Sequence, residues 1–238
     1  MTQKKNDICL DYYKMCGIWL YLGKKGCVAR HDLFMKIKHR GPDNSYYVIV
    51  NDFMDIHMGF HRLSIMDLSP YGNQPFVVDS EERTIYLMCN GEIYNHEELR
   101  RKYQIHTSCL SDCQILPYIY QSHGIQTLVN DIRGEYAFLI VDVAKKENDI
   151  KIYASRDHFG VRPLYVNIEG GELYFSSELK GLTRGLQYKP GKTELYHFTP
   201  DGLTTSNVCQ YKLVSVPVML PMKDLHQKLL DALFEAVR

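Results

Sequence analysis

The chain has 238 residues, 45% of them apolar and 24% charged, the balance of an ordinary globular protein with length for one large domain or two small ones. Its 28 Lys plus Arg match 28 Asp plus Glu, so no net field favours nucleic acid or an acidic membrane surface as a partner. No apolar run approaches the roughly 18–20 residues that a bilayer crossing needs, which argues against a membrane partner too.

Residues 1–14 are polar and unpatterned and read as a flexible extension or propeptide. With Lys4, Lys5, Asn6 and Asp7 they lack the apolar core of a signal peptide. A strand is expected over 16–22, then a turn at Gly23-Lys24-Lys25-Gly26. Leu33, Phe34 and Ile37 recur at helical spacing and predict a short helix over 32–38, stopped at Gly41-Pro42. Strands follow over 46–50, from 56 to 63 and on to 66, and over 84–89, with a loop at Ser69–Pro75 between the last two. A charged helix is expected over 96–103. Asp112 is a plausible N-cap for a helix reaching about Gly124, in which Pro117 is tolerated only if the helix begins late. A second short helix runs from 125 to about 130. Short strands over 135–143, 150–155, 164–168 and 172–175, separated by turn signals, point to antiparallel sheet and an α+β class.

Leu225, Leu229, Leu230, Leu233, Phe234 and Val237 form the apolar stripe of a last helix. It either docks on its own domain or opens a following one. Three parts are therefore expected: the extension 1–14, a domain over 15–220, and the amphipathic helix 221–238. Seven cysteines, an odd count, suggest free thiols and a reduced, cytoplasmic setting. Cys109 and Cys113 have no second Cys or His pair at ligand spacing, so no metal site is expected.

Five segments concentrate polar, turn-forming and glycine residues at strand ends. Each has a plain reading. Cys16 ahead of an apolar strand is by itself a small buried hydrophobe. Arg62 in an apolar strand is either an edge residue or one that requires an anion or carboxylate. Asn90-Gly91 reads as a hairpin turn, or else as a pair of oxyanion donors. Glu92 reads as a turn acid and Asp112 as a helix cap.

Taken together, Met15-Cys16-Gly17-Ile18-Trp19, His39-Arg40-Gly41-Pro42-Asp43, Gly59–Ser69 with Gly72-Asn73-Gln74-Pro75, Asn90-Gly91-Glu92-Ile93-Tyr94-Asn95, Ser111-Asp112-Cys113, Arg156–Tyr165 and Ser176–Lys180 resemble, in order and wording, the glutaminase domain of class II glutamine amidotransferases. The 59–75 and 176–180 stretches resemble the asparagine synthetase branch in particular. The resemblance implies a four-layer αββα sandwich of two antiparallel sheets, the N-terminal nucleophile hydrolase type. It implies glutamine as substrate, with Cys16 attacking the side-chain amide to form a thioester and its free α-amine acting as base. Asn90 and Gly91 would hold the oxyanion, Arg62 the α-carboxylate, and Glu92 and Asp112 the α-ammonium. Backbone around Leu63, Ser64, Ile65 and Met66 would line the pocket.

Two departures qualify this expectation. Fourteen residues and Met15 precede Cys16, and a peptide nitrogen has no basic lone pair, so the chain as written is expected to be inactive until Cys16 becomes the first residue. Initiation at Met15 with methionine removal, or loss of a propeptide, would achieve that. The Ser-Gly-Gly pyrophosphate loop of a synthetase domain is also missing. ATP and magnesium would therefore belong to a synthetase domain elsewhere, no cofactor is expected in this chain, and a separate ammonia-accepting synthetase chain is a candidate partner. The competing expectation is a catalytically silent module with a binding or regulatory role.

Overall fold

Along β1 (Gly17–Lys24), Ile18, Leu20 and Leu22 join one apolar core while Trp19 and Tyr21 join another, so the strand is buried on both faces. The computed structural model of the chain describes residues 15–26, 30–51, 53–211 and 222–237. The extension over 1–14 and the end of the expected domain at 212–220 lie outside the described residues.

Antiparallel pairing sets β1 between β3 (Met54–Arg62) and β9 (Glu172–Ser176). Beyond them lie β2 (Asn44–Asn51) on one side and β8 (Tyr165–Glu169) with the two-residue β10 (Leu186–Gln187) on the other. The second sheet runs in the order β12 (Gly202–Gln210), β11 (Lys192–Thr199), β7 (Ile150–Arg156), β6 (Gly134–Ala144), β5 (Arg83–Ile93), β4 (Phe76–Asp79).

Two-residue periodicity sorts the side chains into layers. Ile18, Leu20, Met58, Phe60 and Phe175 of the first sheet share a core with Ala137, Leu139, Val141, Ile152 and Ala154 of the second. Full burial of each larger member is worth about 1.5–3 kcal/mol. The other face of the second sheet, with Leu87, Cys89, Phe138 and Ile140, packs under α2 (His96–Lys102) and α3 (Leu116–Asp131) through Leu99, Leu116, Ile119 and Leu128. The outer face of the first sheet packs Trp19 and Tyr21 on Leu33 and Phe34 of α1 (His31–Met35) and on Ile37. The result is the expected four-layer αββα sandwich.

Several expectations need correction. Asn90 and Gly91 are not a turn: β5 runs through them to Ile93, paired with β6 throughout. Asp112 caps no helix. It opens a 3₁₀ turn (Asp112–Ile115), and α3 begins only at Leu116, late enough for Pro117 to sit in its first turn. The two helices expected on either side of Gly124 are both present within α3, separated there by the positive φ of the glycine (φ 79°, ψ 171°). β3 stops at Arg62, short of Met66. Strands β4, β10, β11 and β12 were not anticipated. The register of β11 on β12 slips between Thr193 and Glu194, where Val208 of β12 is the extra residue, and the exposed, Thr- and Ser-rich β12 shows no clean alternation.

The final helix α4 (Met222–Val237) carries its stripe in the open. Leu225, Leu229, Leu230, Leu233 and Phe234 are 46–66% exposed, so among the described residues the stripe is not docked on the sheets.

Candidate active site

Cys16 enters β1 at the sheet end where β3 finishes in Arg62, and it opens into a pocket shared with β5 and the turn after Ser111. The Leu63 N–H donates to Cys16 Sγ at 3.4 Å, and the Leu63 carbonyl lies 3.5 Å away. Burial pushes the thiol above its ordinary range, and the Leu63 N–H together with the charges of Arg40 and Arg62 offsets this only in part. The sulfur is thus a thiol near neutral pH and needs a base before it can attack. Ahead of it, the Met15 sulfur contacts the Arg162 guanidinium, which also pairs with Glu135.

The buried Arg40 fixes the backbone of the cysteine. Its Nε donates to the Cys16 carbonyl at 3.0 Å and its Nη1 to Glu178 at 3.1 Å. Its Nη2 donates at 3.2 Å to the Asn90 side-chain oxygen, which sets the amide so that Asn90 Nδ2 donates to the Cys16 carbonyl at 3.2 Å. A primary amide has two N–H groups, and the second is uncommitted. Arg40 can reach this position because Gly41 lies flat on β3; a Cβ there would come within 2.2 Å of the His61 carbonyl.

On β5, the N–H groups of alternate residues leave the strand on the same side. The Cys89 N–H goes to Gln74 Oε1 at 2.6 Å and the Ile93 N–H to Asp112 Oδ2 at 2.6 Å, both away from β6. Gly91 lies between them, with its N–H on the same pocket edge. β4 has already ended opposite Leu87, and the Gly91 N–H has no partner among the described residues.

Arg62, 7% exposed, donates to the carbonyls of Ser69 (2.7 Å) and Asp67 and to Asn73 Oδ1 (2.9 Å). These acceptors are all neutral, and among the described residues no carboxylate pairs with Arg62. The second oxygen of the buried Asp112 accepts nothing among the described residues, and Glu92 shares the same pocket wall. Cys16, Arg62, Leu63, Ile65, Met66, Gly91, Glu92 and Asp112 line one cavity. Ser64 is not in its wall, and its N–H goes to Asp43 at 2.7 Å. Asn90 lies behind the wall, 1% exposed.

Sequence reasoning did not assign roles to Arg40, Glu178, Gln74 or Asp67. All four lie within or beside quoted motifs, but their partners are distant in the chain. Asp67 accepts from the Ser69 N–H (2.8 Å) and the Leu110 N–H (3.0 Å), which pull its carboxyl down to about 2 and pin the 63–67 loop to the segment before Asp112. Among the described residues no group of three or more His, Cys, Asp or Glu is arranged to hold a metal.

A family model described as a glutamine amidotransferase domain matches residues 15–217. The chain is 41% identical over 181 residues to a probable glutamine-hydrolysing asparagine synthetase of Acanthamoeba polyphaga mimivirus, covering 73% of this chain and 32% of that one. It is 35% identical over 204 residues to glutamine-hydrolysing asparagine synthetase of Bos taurus, covering 81% and 35%. The chain thus spans about a third of the length of these relatives. Among solved structures, glutamine phosphoribosylpyrophosphate amidotransferase of B. subtilis superposes with a TM-score of 0.62 at 17% identity, covering 81% of this chain and 49% of that one, a likeness of fold.

Proposed function

The chain belongs to the glutamine amidotransferase family, and from that premise we propose that it hydrolyses glutamine to glutamate and ammonia through a thioester on Cys16. What supports the reading is one pocket holding a sulfur, an open backbone N–H, a buried cation without a carboxylate partner, and a buried carboxylate with a free oxygen. Those are the complements of an amide carbonyl, its oxyanion, an α-carboxylate and an α-ammonium.

In this reading glutamine lays its α-carboxylate on Arg62, whose planar fork suits a bidentate contact. Its α-ammonium goes to Asp112 and Glu92. The side-chain carbonyl then faces Cys16. The Cys16 α-amine, with a reference pKa of about 7.7–8.0, takes the thiol proton and later gives one to the departing ammonia. Negative charge on the tetrahedral oxygen is received by the Gly91 N–H and the uncommitted Asn90 N–H, the kind of preorganised donor pair whose single members are worth about 10²–10³ in kcat. Water then cleaves the thioester. None of these steps requires a metal or cofactor.

The amine exists only if Cys16 is the first residue, so we assign that state to the active protein, reached by initiation at Met15 and methionine removal or by loss of residues 1–15. The ammonia would serve asparagine formation on an ATP- and magnesium-dependent synthetase unit, in the cytoplasm. Glutamate release, measured for the full chain and for a form that begins at Cys16, tests the reading. Release is expected from the second and absent from its Cys16→Ala variant. No release from either form would leave a silent binding module.

A further inference from the structure

The edge of β5 at the pocket is finished by side chains where a neighbouring strand would otherwise lie. Gln74 holds both backbone groups of Cys89, accepting its N–H at 2.6 Å and donating to its carbonyl at 3.2 Å. Cys113 Sγ points at the Gly91 carbonyl at 3.8 Å, and Asp112 takes the Ile93 N–H. Among the described residues one N–H of this edge is left open, that of Gly91. Opposite it across the sheet, Tyr136 directs its N–H to Asp157 and receives the Asp157 N–H on its carbonyl, so β6 makes no claim on Gly91 either.

Gln74 therefore does the work of a β4 residue without being one. Its side chain is buried and lines the same cavity as Cys16. A real strand residue there would make the same two bonds to Cys89, and a strand continued two residues beyond it would bring a carbonyl to the Gly91 N–H. A side-chain amide ends the ladder at Cys89, fixes the height of the strand, and leaves the next N–H for a ligand. Removing it would leave the Cys89 N–H and carbonyl buried without partners, and the edge would shift to find them.

We infer that Gln74 is a positioning residue for catalysis: by capping Cys89 it holds the Gly91 N–H open and aimed at the oxygen that becomes negative in the glutaminase reaction. The inference rests on the glutaminase reading above. Gln74 touches neither the sulfur nor the substrate in this scheme, so its loss should lower kcat and leave KM nearly untouched.

The test compares the parent with Gln74→Met, of similar length but without either hydrogen bond, and with Gln74→Glu, which keeps the acceptor for the Cys89 N–H. In the form beginning at Cys16, Gln74→Met is expected to lose roughly 10-fold or more in kcat with KM within about two-fold, because a misplaced donor forfeits part of what a deleted one does. Gln74→Glu should lose less. Amide hydrogen exchange by NMR on the full chain gives a readout independent of turnover. In the parent, the Cys89 N–H should be protected and the Gly91 N–H should exchange freely. In Gln74→Met, Cys89 exchange should accelerate at least about 10-fold.

An active parent whose Gln74→Met variant keeps its kcat, or loses kcat and KM together in step with its melting temperature, overturns the Gln74 inference alone. Equal protection of Cys89 and Gly91 in the parent overturns it as well. A parent that shows the expected exchange pattern but never releases glutamate refutes the glutaminase reading and, with it, the catalytic meaning of Gln74.

Discussion

Replacing Arg40 by methionine removes the one side chain that joins the nucleophile's backbone, the Asn90 amide and the Glu178 carboxylate. The three contacts are 3.0, 3.2 and 3.1 Å long, and the arginine side chain is 5% exposed. Losing one partner of a buried ion pair costs about 3–5 kcal/mol when the other is left alone. Glu178 is not left alone: it keeps His39 at 3.0 Å and Lys180 at 3.1 Å, and its side chain is 24% exposed. The main penalty falls on the buried Asn90 Oδ1, left without a donor at about 1–3 kcal/mol, while the Cys16 carbonyl keeps the Asn90 N–H and loses one of two bonds, about 0.5–1.5 kcal/mol. Methionine returns part of that by burying an apolar chain without the cost of a buried charge. The expected net loss is about 1–3 kcal/mol. Urea unfolding followed by tryptophan fluorescence reads it through Trp19, the single tryptophan, as a lowered midpoint at unchanged slope. Glu178→Gln, which keeps an acceptor for Arg40, should lose about 1 kcal/mol, and the double variant should fall short of the sum by about 1 kcal/mol. A loss below about 1 kcal/mol for Arg40→Met, or strict additivity, would refute the clamp.

Gly72→Ala places a Cβ within 2.2 Å of the buried Arg62 Nη2. The guanidinium must leave its bonds to the Ser69 and Asp67 carbonyls to make room, so the melting temperature should fall and KM for glutamine should rise about 10-fold with kcat nearly kept. Iodoacetamide alkylation of Cys16 in the full chain should still be gaining rate above pH 9, because burial holds the thiol pKa up; a plateau near pH 7 would contradict that. Asp67 has its folded-state carboxyl depressed to about 2, so its stabilisation is complete above the unfolded value near 3.9 and is lost as pH falls through about 2. Asp67→Asn should therefore lower stability at pH 7 and flatten its decline between pH 4 and pH 2, measured by thermal melts across that range.

The parts legible in the sequence are those encoded locally. Trp19 and Tyr21 alternating with Ile18 and Leu20 mark a strand buried on both faces, and Cys16 ahead of it stands out once the other motifs are aligned. Arg62 was readable as a buried cation, but not its cradle of carbonyls at Asp67 and Ser69, which depends on how the 63–72 loop folds back. Arg40 contacts Cys16 from 24 residues away and Glu178 from 138, and no periodicity carries such pairings. Of the two readings of Asn90-Gly91, a turn or a pair of oxyanion donors, the turn fails for a physical reason. The pair has turn chemistry, yet eleven consecutive rungs with β6, from Arg83 to Ile93, hold it extended. The same extension aims the Gly91 N–H at the pocket. Asp112 looked like a helix cap because a helix does follow. Its oxygen goes instead to the Ile93 N–H, a choice made by the approach of β5.

The central claim is that the Cys16 sulfur attacks the side-chain carbonyl carbon of glutamine in this pocket. A diazoketone analogue of glutamine, incubated with the form that begins at Cys16 and followed by peptide mass mapping, tests it directly. The account expects one adduct, on Cys16, suppressed by excess glutamine and lost in Arg62→Met. An unlabelled Cys16, or a label on Cys89 or Cys113 in its place, would contradict it.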